Sequence, residues 1–144
     1  MKSLIIESYL KRNDISVSHQ IAEAIFEDLV LLLKQVYQWQ KAGLLTEPFL
    51  FTSDISYLDL LWHEMILNTR YYQQFCQDHF GEFLHHDPLA DDLVQASTQE
   101  LNFEKVGHQI ESLAQQLGDE FILRIYQDYP RVIQSCAVKE SACL

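Results

Sequence analysis

Apolar residues recur three and four apart over most of this 144-residue chain, the spacing of amphipathic helices. A short helix is expected over residues 2–11, with Ile5, Ile6, Tyr9 and Leu10 on one side. Ser16 or Ser18 offers a cap for the next. From His19 to Lys41 the apolar positions Ile21, Ile25, Leu29, Leu32, Val36 and Trp39 share a stripe, and Gly43 supplies the left-handed end. Residues 44–51 form a connection whose Leu45, Phe49, Leu50 and Phe51 turn toward the core.

Thr52, Ser53, Asp54 and Ser56 are the capping options for a helix from about Ile55 into the sixties. Leu58, Leu61, Trp62 and Met65 occupy one face of it, and Leu60, Ile66 and Leu67 cover much of the rest. A helix apolar on most sides belongs at the centre of a fold. Asn68 and Thr69 interrupt it, because their side chains compete for backbone groups. Tyr72, Phe75, Cys76 and His79 restart the pattern, Gly81 ends it, Phe83 and Leu84 continue an apolar edge, and Asp87-Pro88 begins a turn. A weak helix is expected around Ala90 to Gln95. A stronger one runs from about Leu101 to Leu117, with Phe103, Val106, Ile110, Leu113 and Leu117 inward. Asp119 caps a last helix, with Phe121, Ile122, Ile125 and Tyr126 inward, and Pro130 stops it. Residues 131–144 read as a loose tail or a short docking segment. The pattern therefore predicts an all-α protein, one compact domain of about five or six helices packed around the Ile55–Leu67 helix.

Composition sharpens this picture. Only four glycines and three prolines break the chain, which suits long helices. The formal net charge of −11 opposes nucleic-acid phosphate and anionic membrane surfaces, so neither is an expected partner. The acidity fits a solvated surface or a face for a basic protein partner. The three cysteines, Cys76, Cys136 and Cys143, cannot all pair within one chain and form no Cys-x-x-Cys unit. That suits a reducing compartment, and the cytoplasm is the expected location. The first ten residues are too polar for a signal peptide. Cys143, next to last, does not make a prenylation box.

Residues 54–88 hold four of the six histidines, and candidate chemistry concentrates there. Asp59 and His63 lie one helical turn apart on one face. The carboxylate can accept one ring N–H of His63, either as a structural pair or to free the other nitrogen for a metal or a proton. Cys76 and His79 are three apart, and His85 and His86 follow the glycine turn. Thiolate and imidazole are ligands of the kind zinc prefers, so His63, Cys76, His85 and His86 form the candidate ligand set for a divalent metal such as zinc. Adjacent side chains diverge in an extended segment, so only one of His85 and His86 is expected to face the site. Cys76 with His63 or His79 would also suit nucleophilic chemistry, but no motif supplies an oxyanion hole or a phosphate cradle. Trp62, Tyr71, Tyr72, Phe75, Phe80 and Phe83 form an aromatic group better suited to packing than to base stacking. The expectation is that His63, Cys76 and one of His85 and His86 converge.

Trp62-His63, Thr69-Arg70-x-Tyr72, Phe75-Cys76, Phe80-Gly81-x-Phe83 and His85-His86-x-Pro88 together resemble the bacterial branch of the glycine-rich domain-containing protein-like family. The resemblance implies a small, mainly helical domain with no established activity. It adds weight to Trp62, His63, Tyr72, Cys76, Gly81, His85 and His86. Met65 departs from it, standing where many members carry a second histidine. Three functional classes follow. One is a binding or regulatory module whose central cluster (Asp59, Trp62, His63, Tyr72, Cys76, His85, His86) holds a divalent metal. Another is a metal-dependent enzyme using His63 supported by Asp59. The third is an acidic interaction protein that neutralises a basic partner.

Overall fold

The computed structural model describes the backbone of residues 1–45, 48–86 and 99–142; in the last stretch side chains are described for 103–135. The expected weak helix around Ala90 to Gln95, the Asp87-Pro88 turn and the side chains of Cys136 and Cys143 lie outside the described residues. Every regular element among the described residues is helical, as the apolar spacing predicts. None of these helices is long and apolar enough to cross a membrane.

Helix α1 (Lys2–Arg12) buries Ile5, Ile6 and Tyr9. Helix α2 (His19–Lys41) starts where the Ser18 side-chain oxygen accepts the Ile21 N–H at 3.1 Å, satisfying one of the orphan donors of the first turn. A short 3₁₀ turn (Ser53–Ile55) leads into α3 (Ser56–Leu67), with the Ser56 hydroxyl donating to the Ser53 carbonyl. Helix α3 packs against α1, α2 and α4, the central place its apolar surface calls for. Leu58, Leu61 and Met65 are wholly buried. It also buries Glu64, whose carboxylate accepts the Arg12 Nε–H at 2.9 Å. A buried charge without such a partner would be strongly destabilising.

Asn68 ends α3 by substitution of one donor for another. Its backbone N–H bonds the Met65 carbonyl at 3.2 Å, one residue short of the helical register. Its side-chain Nδ2 donates to the Glu64 carbonyl at 2.9 Å, the acceptor its backbone has left. The chain turns there, and α4 (Thr69–Phe80) runs back across α3, burying Tyr72, Phe75 and Cys76. Gly81 closes α4 at φ +74°, a conformation that side chains rarely adopt.

Helix α5 (Gln99–Leu117) buries Leu113 and half-buries Val106, Ile110 and Leu117. Phe103, expected on the same inward stripe, is 82% exposed. From this stripe Leu113 lies in the core and Leu117 packs against it, whereas Phe103 stands near the start of the helix, far from that contact. Helix α6 (Asp119–Leu123) has Gly118 at its cap position, so Asp119, expected as the cap, is its first residue.

The sequence predicts that Pro130 stops the last helix, with 131–144 a loose tail or a short docking segment. The chain instead widens into a π-helical turn (Arg124–Asp128) and continues as α7 (Tyr129–Ala142). The wide turn explains how. Tyr129 N–H bonds Arg124, five residues back, rather than Ile125, four back. The next donor in that series would be the N–H of residue 130, which proline lacks. The Ile125 carbonyl is left without a helical donor, and the Tyr57 hydroxyl fills the gap at 2.5 Å. Tyr129 is buried and Ile133 half-buried against the core, so α7 is docked over its first turns.

A second polar network was not foreseen from the sequence. The buried Asp28 carboxylate of α2 receives Arg124 through two bonds, of 2.9 and 3.0 Å, and the Tyr129 hydroxyl at 2.6 Å. It ties α2 to the π turn. Asp28 sits on the buried side of α2 among residues that periodicity alone marks as core.

Candidate metal centre

Helix α3 carries Asp59 and His63 one turn apart, so both side chains rise from the same face. The non-helical residues after Gly81 bring His86 across to them. His86 Nε2 lies 2.6 Å from Asp59 Oδ1 and 2.9 Å from His63 Nε2, and His63 Nε2 is 3.5 Å from Asp59 Oδ1. Three ligand-type atoms thus point at one small volume. A single imidazole nitrogen has either one N–H or one lone pair, so His86 Nε2 cannot serve both neighbours with full hydrogen bonds.

Depth is graded across the three. The His86 side chain is 15% exposed, Asp59 26% and His63 48%. The cluster is anchored on the His86 side and open to solvent on the His63 side. The His86 ring is stacked on the indole of Trp62, centroids 4.1 Å apart, with the Phe51 ring beyond at 6.3 Å. A cavity of about 30 Å³ adjoins these rings, lined in part by Val36, Gln40 and Phe49.

A polar shell lies behind the rings. Trp62 Nε1–H donates to Tyr72 Oη at 3.0 Å, the Tyr72 hydroxyl donates to the Leu84 carbonyl at 2.5 Å, and the Leu84 N–H points at Cys76 Sγ at 3.5 Å. Burial pushes the Tyr72 hydroxyl well above its ordinary pKa, so it stays protonated and remains a donor.

Of the residues singled out from sequence, Asp59, His63 and His86 come together, with Trp62 stacked against His86. Cys76, expected as a ligand, stays out of the cluster: it is buried, and its sulfur faces the Leu84 amide. His85 also stays out, exposed and tilted against Phe83 at 4.8 Å. The expectation that only one of the two histidines faces the site therefore holds, with His85 on Phe83 and His86 on Trp62 and Asp59. His79 packs on Phe75 at 4.4 Å, and burial, followed by the charge of Lys34, lowers its pKa. Asp59, placed by sequence reasoning behind His63, stands beside it instead, closer to His86 than to its own helical neighbour. Phe51 joined the site from a connecting segment, where only its apolar character was visible.

The fold and site define a class: an all-helical protein with a carboxylate and two imidazoles gathered on its central helix. The chain belongs to the UCP032817-like family, whose model matches residues 11–120. This corrects the resemblance to the glycine-rich domain-containing protein-like family drawn from residues 54–88. That likeness rested on short pairs such as Trp62-His63 and His85-His86 within one helix–break–helix stretch, whereas the family match spans most of the chain. Comparison with curated proteins and with solved structures gave no match.

Proposed function

We propose that this protein is a small divalent-metal-binding module whose ligands are Asp59, His63 and His86. The carrying observation is the convergence of two Nε2 atoms and one Oδ1 atom, at 2.6, 2.9 and 3.5 Å from one another. Ligand bonds of about 2.0–2.1 Å set tetrahedral ligand–ligand edges of roughly 3.3 Å. An ion therefore fits after shifts of less than about 1 Å, and it would satisfy the His86 nitrogen that hydrogen bonding leaves over-subscribed. Two imidazoles and a carboxylate suit zinc and its first-row neighbours, and lack the thiolate that would narrow the choice. The net charge of −11 favours cation uptake.

Exposure of His63 leaves coordination positions facing solvent, and that observation favours the second reading, a metal-dependent enzyme with water on the open positions. The cavity beside His86 is not lined by Asp59 or His63, so among the described residues it does not join all three ligands to a substrate pocket, and the binding module is preferred. Native mass spectrometry of untagged protein titrated with zinc, cobalt or nickel tests the reading. One ion per chain is expected, retained in wild type and lost on His63→Ala or His86→Ala. An unmetallated wild-type chain at saturating ion would overturn it.

A further inference from the structure

A closed ring of contacts runs from the interior to His86. Tyr72 Oη receives the Trp62 indole N–H at 3.0 Å and donates to the Leu84 carbonyl at 2.5 Å. Two residues beyond Leu84 is His86, and its ring returns to lie on Trp62, centroids 4.1 Å apart. The circuit therefore passes from the Tyr72 hydroxyl through backbone to His86, and through the indole back to the same hydroxyl. Tyr72 is 1% exposed, so no water substitutes for it. The other backbone group of Leu84, its N–H, is directed at Cys76 Sγ one turn along α4 from Tyr72, so the backbone on both sides of the Leu84 Cα is held.

We infer that Tyr72 is a positioning residue for the metal site: its hydroxyl fixes both the backbone that carries His86 and the ring that His86 rests on. The inference rests on the metal-binding reading above. It assigns to a buried side chain that touches none of the three ligand atoms a share in the affinity of the site. Outer partners that orient a ligating histidine typically contribute roughly 10–100-fold in metal affinity. Sequence spacing placed Tyr72 in the cluster without giving it a role; the hydroxyl is what matters, so phenylalanine is the informative replacement.

The experiment is a cobalt(II) titration of the full chain, read by visible absorption, for wild type, Tyr72→Phe, His86→Ala and the double variant. Tyr129→Phe is the control, because it removes a buried hydroxyl bond to Asp28 and leaves the His86 ring of contacts untouched. Expected is a loss of roughly 10–100-fold with an altered cobalt spectrum in Tyr72→Phe. No such change is expected in Tyr129→Phe, and His86→Ala alone or with Tyr72→Phe should show no cobalt uptake. Wild-type affinity and spectrum in Tyr72→Phe overturn the inference and leave the metal site standing; so does an equal loss in Tyr129→Phe, which marks general destabilisation. If wild type takes up no cobalt, the metal reading fails, and proton NMR of the His86 ring decides the rest. Ring protons displaced from the shielding face of Trp62 in Tyr72→Phe support the positioning role, and unmoved protons overturn it.

Discussion

At the scale of single residues, the proposed site separates candidate ligands from their supports more sharply than composition can. Asp59→Asn keeps the size of the side chain and removes its charge, and is expected to weaken zinc binding by at least tenfold in a competition titration, in line with losing a charged ligand. Cys76→Ser should keep one ion per chain, because the sulfur faces the Leu84 amide at 3.5 Å rather than the three ligand atoms. Loss of metal on Cys76→Ser would return the cysteine to the ligand set. Which residues carry chemistry was largely legible: Asp59, His63 and His86 all stood out by type. The Asp59–His63 pair and the meeting of His63 with one of His85 and His86 were expected too; the direct Asp59–His86 contact was not. The Asp59–His63 spacing is visible because helical neighbours are fixed by geometry. The tighter Asp59–His86 contact depends on where a non-helical segment lands, and no periodicity encodes that. Asp28, Arg124 and Tyr129 were missed for the same reason, since their bonds link residues about a hundred positions apart.

At the scale of elements, helices were read well wherever a stripe of apolar residues met a surface to cover it. The errors fell where a local rule was overruled by a neighbour. Pro130 breaks helices in isolation, but here the π-helical turn and Tyr57 from α3 absorb what it lacks. Tyr57→Phe is accordingly expected to cost about 1–3 kcal/mol, because the buried Ile125 carbonyl loses its one substitute donor. Urea denaturation measures this, and a change within error of zero would show that the carbonyl finds another partner. The same reasoning places α7 among the packed elements over its first turns, with Ile133 a half-buried anchor against the core.

At the scale of the whole molecule, tyrosine hydroxyls act as the struts between elements. Tyr9 of α1 bonds the Tyr57 carbonyl at 2.8 Å, Tyr57 reaches the π turn, Tyr72 reaches Leu84, Tyr37 reaches the Phe80 carbonyl at 3.1 Å, and Tyr129 reaches Asp28. Burial raises the pKa of Tyr9, Tyr57, Tyr72 and Tyr129 far above the ordinary value of about 10. The unfolded chain releases these protons first, so above pH ~10 the folded state binds more protons and stability falls as pH rises. The contribution is fully present below that pH. Phenolate absorbance is expected to appear late and to rise together with loss of helical circular dichroism. Gradual ionisation of these four rings in a protein that stays helical would contradict it. The all-α class was readable from spacing alone; this strutting was not, because a tyrosine on an apolar stripe looks the same whether its hydroxyl has a partner or not.

The indole of Trp62 lies face to face with His86, while Trp39, the other tryptophan of the chain, sits on α2 and lines a separate groove with Leu44, Pro48 and Leu50. The molecule therefore carries its own fluorophore against the imidazole that anchors the site. Emission from Trp62 is expected to change when an ion takes the His86 lone pair, and to lose that response in His86→Ala, with Trp39 giving a constant background. A Trp39→Phe variant would isolate the signal, turning one stacked pair of rings into an optical gauge of occupancy.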